Sequence, residues 1–337
     1  SEVVIGNRDD GVYCLTGDGR LLWSFRTGQR FFHPAIANID GQGSPEVLVY
    51  GAGGPDSGHV YCLNSDGSER WSFYTGHQYY YPAGLTIANL DTVGEPEIMV
   101  GCGSDSLDSL YCLNSDGSLR WSFPTLSHVA SPAVANIDEE GTPEVVFACQ
   151  GIEVYCLDSD GAIIWTRSLQ VSWAALTSIA DVDLDGEAEI VISGSTIDGP
   201  SMLYCFEGDG TLRWTAEVLA TGSAQISMAA IDDLNNDAYP EIVVFSNCFD
   251  DTRDSLYAFR DEGTSARVVW TAKADDWMGA SATAPVICDL NGDGEKEVVW
   301  EGTEYLRIYG GSDGRVIYEN PDFHCATTQE HPAIADV

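Results

Sequence analysis

The sequence predicts an all-β fold, a seven-bladed β-propeller of four-stranded antiparallel blades, on three observations: a unit repeated seven times, strand-length apolar runs punctuated by turn residues, and no sustained helical period. The clearest copies of the unit are VYCLTGDGRLLWSF, VYCLNSDGSERWSF, LYCLNSDGSLRWSF, VYCLDSDGAIIWTR and LYCFEGDGTLRWTA. Two worn copies follow, LYAFRDEGTSARVVWTA and LRIYGGSDGRVIYEN, the second with Tyr318 at the tryptophan position. The copies centre on Tyr13, Tyr61, Tyr111, Tyr155, Tyr204, Tyr257 and Arg307, about 44 to 53 residues apart, a spacing that suits propeller blades.

Each unit reads as four short strands. The first two come from a second repeated phrase, seen as PAIANIDGQGSPEVLVYG, LTIANLDTVGEPEIMVGC, PAVANIDEEGTPEVVFAC, TSIADVDLDGEAEIVISG, AAIDDLNNDAYPEIVVFS and PVICDLNGDGEKEVVWEG, where an acidic turn separates two apolar runs. The third strand is the VYCL run, an Asp-Gly turn follows, and the fourth strand carries the tryptophan. Apolar residues occupy both parities of the second and third strands, as in Val47 to Tyr50 and Val12 to Leu15, so both faces of the sheet are expected to be covered. Four-stranded units buried on both faces are blades packed face to face. The chain begins at SEVVIG, which reads as a second strand, and stops at HPAIADV, which reads as a first strand. The two ends are therefore expected to share the seventh blade and close the ring without an open edge. Residues 1–337 are expected to form this one domain, part of a longer protein, because Asp336 starts an acidic turn that the sequence does not complete.

Composition narrows the function. The 15 basic and 53 acidic residues give a formal charge of −38, which argues against nucleic acid or an anionic membrane and favours cations or basic partners; adaptation to salt is the alternative reading. No stretch approaches the roughly 20 apolar residues of a membrane span, so membrane insertion is not expected. No charged-then-apolar leader opens the chain, and a soluble or already processed form is the expectation. Ten cysteines include no C-x-x-C pair. Cys14, Cys62, Cys112, Cys156 and Cys205 fill one repeat position, and Cys102, Cys149 and Cys288 stand where other copies have glycine or alanine. Eight of the ten are therefore read as small core residues, whereas Cys248 and Cys325 have no such equivalents.

The acidic turns are the clearest candidates for chemistry. In DVDLDGEAE, Asp181, Asp183 and Asp185 alternate before Gly186, and Glu189 follows, a pattern that lets hard oxygens converge on calcium, with a backbone carbonyl at Glu187. Asp233, Asn235, Asp237 and Glu241 repeat the set without the glycine; Asp289, Asn291, Asp293 and Glu297 repeat it with Gly294. Weaker copies offer Asn38, Asp40, Gln42 and Glu46, and Asn136, Asp138, Glu140 and Glu144, for which weak binding and plain turns both stay open. The second copy has Val93 at a ligand position and is expected to bind nothing. Nine positions flanked by strands distinguish these loops from the twelve-residue helical hand.

With these loops on strand-to-strand turns, the chain resembles the FG-GAP repeats of integrin α-subunit propellers and of related bacterial and archaeal surface proteins. The resemblance spans essentially the whole chain and implies calcium stiffening the turn between a blade's first two strands. Glutamate at the last ligand position is a departure from that family's aspartate. The phrase VYCLNSDGSLRW is also similar to the repeats of pyrroloquinoline-quinone propellers and of outer-membrane assembly propellers. The quinoprotein dehydrogenases of that kind have eight blades and a vicinal disulfide, which this sequence lacks, so the likeness extends to the blade and not to the redox chemistry.

The opposite face of the ring, made by blade-to-blade connections and second-to-third-strand turns, is expected to collect the histidines and many aromatics. The candidate ligand-binding residues there are His33, His77, Tyr79, Tyr80, His128, Trp173, Trp277 and His324, accompanied by His59, His331, Arg30, Phe31, Phe32, Tyr81, Phe323 and several aspartates. Packing at the ring's centre competes with binding for Phe32 and Tyr81. No G-x-S-x-G, H-E-x-x-H, phosphate loop or dinucleotide fingerprint is present. The sequence therefore points to a calcium-stabilised binding or adhesion module, extracellular or on the cell surface, with the periplasm also open, rather than to an enzyme. Its partner would be a protein or a carbohydrate. The alternatives are a polysaccharide lyase acting from the histidine-rich face and a self-associating structural bead.

Overall fold

The structure, a computed structural model, describes residues 2–6, 11–53, 58–76, 84–103, 108–138, 141–149, 153–196, 199–218, 224–248, 254–274, 284–302 and 305–322. These residues form β-strands and no helix, in seven antiparallel sheets. Residues 30–74, 85–125, 133–168, 173–218, 224–273 and 286–320 make blades 1 to 6, and residues 2–26 make a three-stranded sheet, blade 7. Strand neighbours follow chain order, so each blade is a meander: Arg30–Ala37, Glu46–Ala52, His59–Leu63 and Glu69–Tyr74 in blade 1. Blade 5 departs slightly, its first strand being split into Ala224–Ile226 and Ala230–Asp232, both paired with Glu241–Cys248. Residues 331–337, expected to complete blade 7 and close the ring, lie outside the described residues.

The continuous apolar runs do what their pattern predicts. Every residue of the second strand is buried in blade 1 (Glu46–Ala52) and in blade 4 (Glu189–Ser195). Buried side chains gather in six layers, each drawn from two successive blades; Val146 and Val154 of blade 3, for example, pack with Ile190 and Ile192 of blade 4. The core is thus a series of sandwiches between blades. Cys62, Cys102, Cys112, Cys149, Cys156 and Cys205 lie in these layers as free thiols, and Cys14 is buried and free as well. Burial pushes the Cys62, Cys112 and Cys156 thiols up to about 12, so they serve as apolar filling. The Cys248 side chain and Cys325 lie outside the described residues.

The repeated tryptophan has a directional role. Its indole N–H donates into the third-to-fourth-strand turn of the following blade: Trp23 to Ser65 O at 2.9 Å, Trp71 to Ser115 O at 3.0 Å, Trp121 to Ser159 O at 2.9 Å, Trp165 to Gly208 O at 2.9 Å and Trp270 to Gly311 O at 2.6 Å. Trp214 instead reaches the Asp261 carboxylate, at 2.5 Å. The turn glycine is needed twice over. Gly117 has φ of 82°, and a Cβ there would fall 2.6 Å from the Trp71 ring. Tyr318, at the tryptophan position of blade 6, is half exposed, and Gly19 of blade 7 has open space where its Cβ would be.

The third and fourth strands shift register at the same repeat position in all seven blades, for instance between Cys62 and Leu63. With Cys62 opposite Trp71 and Leu63 opposite Glu69, Arg70 is the extra residue of the bulge. Arg120 and Arg213 hold that place in blades 2 and 4. A bulge re-aims the residue it carries.

Gly117→Ala and Gly19→Ala are expected to separate the two demands on the turn glycine. Both hold alanine at a positive φ, at about 1 kcal/mol or slightly more, but only the former meets an indole. Denaturant unfolding should show Gly117→Ala as the costlier by a further 1 kcal/mol or more, as an order of magnitude; equal losses would show that the ring contact is slack.

Candidate functional site

Each of blades 1 to 6 begins its second strand with a glutamate, Glu46, Glu97, Glu144, Glu189, Glu241 or Glu297, between 0% and 6% exposed. Its Oε2 accepts the backbone N–H seven residues upstream, across the acidic turn. The donors are Ile39 (3.0 Å), Leu90 (2.9 Å), Ile137 (2.9 Å), Val182 (2.8 Å), Leu234 (3.1 Å) and Leu290 (2.8 Å). This staple explains glutamate at the last position of the motif: the side chain must span the turn as well as face into it.

The other oxygen, Oε1, differs among blades. In blade 1 it lies 3.5 Å from Arg70 and in blade 2 it accepts from Arg120 at 2.7 Å. In blade 5 it accepts from Arg260 and, at 3.3 Å, from Asn235 Nδ2; in blade 6 Asn291 Nδ2 donates to it at 2.9 Å. In blade 4 the Oε1 of Glu189, a residue with 0% exposure, is buried without any hydrogen-bond partner. A carboxylate oxygen left so is costly unless a cation reaches it.

The turns are held by their own first aspartate. Asp181 accepts from the amides of Leu184 (2.6 Å) and Gly186 (3.1 Å), and Asp289 from those of Gly292 (2.7 Å) and Gly294 (3.0 Å). Asp233 accepts from Asp237 (3.2 Å) and Ala238 (2.8 Å). Ala238 adopts a φ of 75° at the place where Gly186 and Gly294 have 100° and 93°, so the blade 5 turn keeps the loop shape without the glycine, at a strain cost.

Among the described residues, one acidic trio brings a ligand atom from each side chain within 4.8 Å of the others: Asp181, Asp183 and Glu189. Asp185, predicted with them, turns its Oδ1 to the Glu187 amide at 2.9 Å. Arg213 also reaches this loop, donating to Asp183 Oδ2 at 2.7 Å, but it is anchored elsewhere. Its Nε and Nη2 each meet Asp261 at 2.9 Å, and Nη1 meets Glu207 at 2.9 Å. Burial pushes the Glu189 carboxyl up to about 7, only partly opposed by the Val182 N–H. Hard oxygens, one of them orphaned and buried, form a donor set that fits a metal such as calcium.

Of the candidates on the opposite face, His77, Tyr79, Tyr80, Trp277 and His324 lie outside the described residues, as do Glu140 of the acidic turns and the side chains of His33 and Trp173. His128 is half-buried against Gly103, where a Cβ would fall 2.5 Å from its ring. His59 sits between Tyr61 and Tyr74, at ring-centroid distances of 5.6 and 4.8 Å. Phe31 is a core residue, 1% exposed and edge-on to Phe25 and Tyr61. Sequence reasoning missed an open cleft of about 750 Å³ on this face between blades 3 and 4, lined by Gln170, Ser172, Thr196, Pro200, Met202 and Tyr204 among others. These residues carry no histidine or tryptophan signal, and only the meeting of two connections makes them a cleft.

A family model described as FG-GAP-like repeat matches residues 181–244 and 233–300, from the acidic turn of blade 4 to the second strand of blade 6. FG-GAP-like repeats are therefore present in this chain. Comparison with curated protein sequences gives no significant match. Among solved structures, the V. cholerae biofilm matrix protein Bap1 is similar over 98% of this chain and 77% of its own, with TM-score 0.66 and 15% identity. BamB from Moraxella catarrhalis is similar over 94% and 80%, with TM-score 0.58 and 16% identity. BBS1N, solved in complex with ARL6DN, is similar over 86% and 79%, with TM-score 0.55 and 13% identity. At these identities the likeness establishes the propeller fold.

The Glu189 carboxyl supplies a pH test. Raised above its ordinary value of 4.5, it stabilises the fold most below that pH, and the contribution is lost as pH rises through about 7. In chelator-treated protein, the melting temperature relative to Glu189→Gln is expected to fall between about pH 4.5 and 7. Parallel profiles for the two proteins would show that Glu189 does not titrate there.

Proposed function

We propose that this propeller is a calcium-stabilised binding or adhesion module of the cell surface or extracellular space, its ligand docking on the face opposite the acidic turns. The observation that carries the calcium part is the buried, unpartnered Oε1 of Glu189 beside Asp181 and Asp183. In blade 4 these three would hold the ion, with Asp185 and the Glu187 carbonyl completing the shell. In blade 6 the corresponding donors are Asp289, Asn291, Asp293 and Glu297. Blade 5 has the same donor types in Asp233, Asn235, Asp237 and Glu241 but with Arg260 seated among them, and Asn38, Asp40 and Glu46, and Asn136, Asp138 and Glu144, are poorer sets. The ion's role is to neutralise converging carboxylates and stiffen the turn.

Rigid turns on one side leave the other side free for recognition. The cleft between blades 3 and 4 supports a docking role there: Tyr204 and Met202 offer apolar surface beside the polar groups of Gln170, Ser172 and Thr196. That Bap1 is a biofilm matrix protein and that BBS1N was solved with a protein bound support a surface module with a macromolecular partner. No helix among the described residues is long and apolar enough to cross a membrane.

Raising free calcium to about 100 times its dissociation constant should stabilise the fold by about 2.7 kcal/mol per site, a rise of roughly 4 °C in melting temperature for a chain this long. An unchanged midpoint between chelated and calcium-saturated protein would sink the calcium reading. For recognition, a glycan array and a panel of purified extracellular-matrix proteins are expected to reveal a ligand whose binding Met202→Arg abolishes. Binding untouched by that substitution would move the ligand out of the cleft.

A further inference from the structure

In blades 1 to 6 the glutamate at the start of the second strand has one oxygen committed to the staple, which leaves the other oxygen to be met by a counter-ion. In blades 1, 2 and 5 that group is a guanidinium of the same blade. Arg70 Nη1 lies 2.7 Å from Asp40 and 3.5 Å from Glu46; Arg120 Nη1 lies 3.0 Å from Asp91 and 2.7 Å from Glu97. Arg260 Nη2 lies 2.8 Å from Asp237 and bonds Glu241 as well, its guanidinium 5.9 Å from the centre of the Tyr239 ring. Each arginine therefore bridges two positions of the motif that would otherwise face a cation. These three contacts use scarce residues, because the chain has only 15 basic side chains against 53 acidic ones.

The arginines do not reach the loops from one repeat position. Arg70 and Arg120 come from the bulge of the fourth strand, whereas Arg260 comes from the end of the third strand, paired with Arg267. Two routes to one contact indicate that the contact itself matters. Blade 6 supplies the natural comparison for blade 5: its donors are the same four residue types in the same order, but Gly310 stands where blade 5 has Arg260. In blade 4 the bulge arginine, Arg213, meets Asp183 at 2.7 Å, but Asp261 and Glu207 hold the rest of its guanidinium, so it does not bridge to Glu189 and that glutamate oxygen stays unpartnered.

We propose that Arg260 is a built-in substitute for the metal in blade 5, as Arg70 and Arg120 are in blades 1 and 2, so that only the loops without such an arginine take calcium. Blade 5 is thus a closed cation site whose donors, Asp233, Asn235, Asp237 and Glu241, open when the guanidinium is removed. Blades 1 and 2 remain closed even then, because Gln42 and Val93 stand where blade 5 has Asp237. The inference rests on the reading that a complete turn of this kind takes calcium.

Counting bound calcium by equilibrium dialysis on the full chain tests it. Arg260→Met is expected to bind one ion more per chain than the parent, Arg260→Lys the same number as the parent, and Arg120→Met no additional ion. Should Arg260→Met unfold in chelator, the expected result is refolding on calcium addition, followed by circular dichroism; failure of calcium to restore it overturns the proposal. Equal counts for the parent and a folded Arg260→Met, with the parent binding at least one ion, would overturn this proposal alone. No ion bound by either protein would overturn it together with the calcium reading.

Discussion

A single hydrogen bond recurs six times and fixes the geometry of the acidic face: the carboxylate that starts a blade's second strand accepts a backbone N–H from the far side of the turn. It buries a carboxyl group at the base of six acidic loops, where ionisation calls for a nearby positive charge just where the turn gathers more carboxylates. The remaining chemistry of that face answers this demand. Arginine meets it in blades 1, 2 and 5, in blade 6 a neutral asparagine amide donates to the oxygen without supplying charge, and in blade 4 the oxygen has no partner. The variation among blades is therefore variation in what meets that oxygen on a constant frame.

Much of the architecture was legible because propeller repeats expose their period. The seven units, the two-sided burial of the second strands and the cysteines as core filling all follow from residues that align with one another. The acidic turns were equally visible, and Ala238 in place of glycine marked blade 5 as the odd copy. Roles that depend on contact between different blades were hidden. The tryptophan served as a marker of the repeat, yet its partner lies some forty residues ahead, in the next copy. Arg70, Arg120 and Arg213 sit in register in SERW, SLRW and TLRW, a signal that was available but reads as surface charge until the bulge turns the side chain toward the loop. Glutamate at the last motif position stood out as a departure from the aspartate of the FG-GAP family, and its length is explained by the backbone amide it reaches.

The opposite face was legible only as composition. Aromatic and histidine residues were assigned there by topology, and among those described Phe31 belongs to the packing layer between blades 7 and 1, His128 packs against Gly103, and His59 stacks on its neighbours. The open cleft between blades 3 and 4 has an unremarkable lining and arises from two connections meeting. Pocket shape is set by loop placement, which periodicity does not encode.

The tryptophan bond has a consequence for how such a molecule can grow. Blade 7 and blades 1 to 4 each present an indole on one side and an Asp-Gly turn on the other, so the junctions between them are head-to-tail copies of one another. Duplicating a unit of about fifty residues brings along both halves of the joint, and no new complementary surface has to arise. The number of blades is then limited by the angle between neighbours rather than by the chemistry of the join. Worn copies such as the one carrying Tyr318 are the places where that modular grammar has been allowed to lapse.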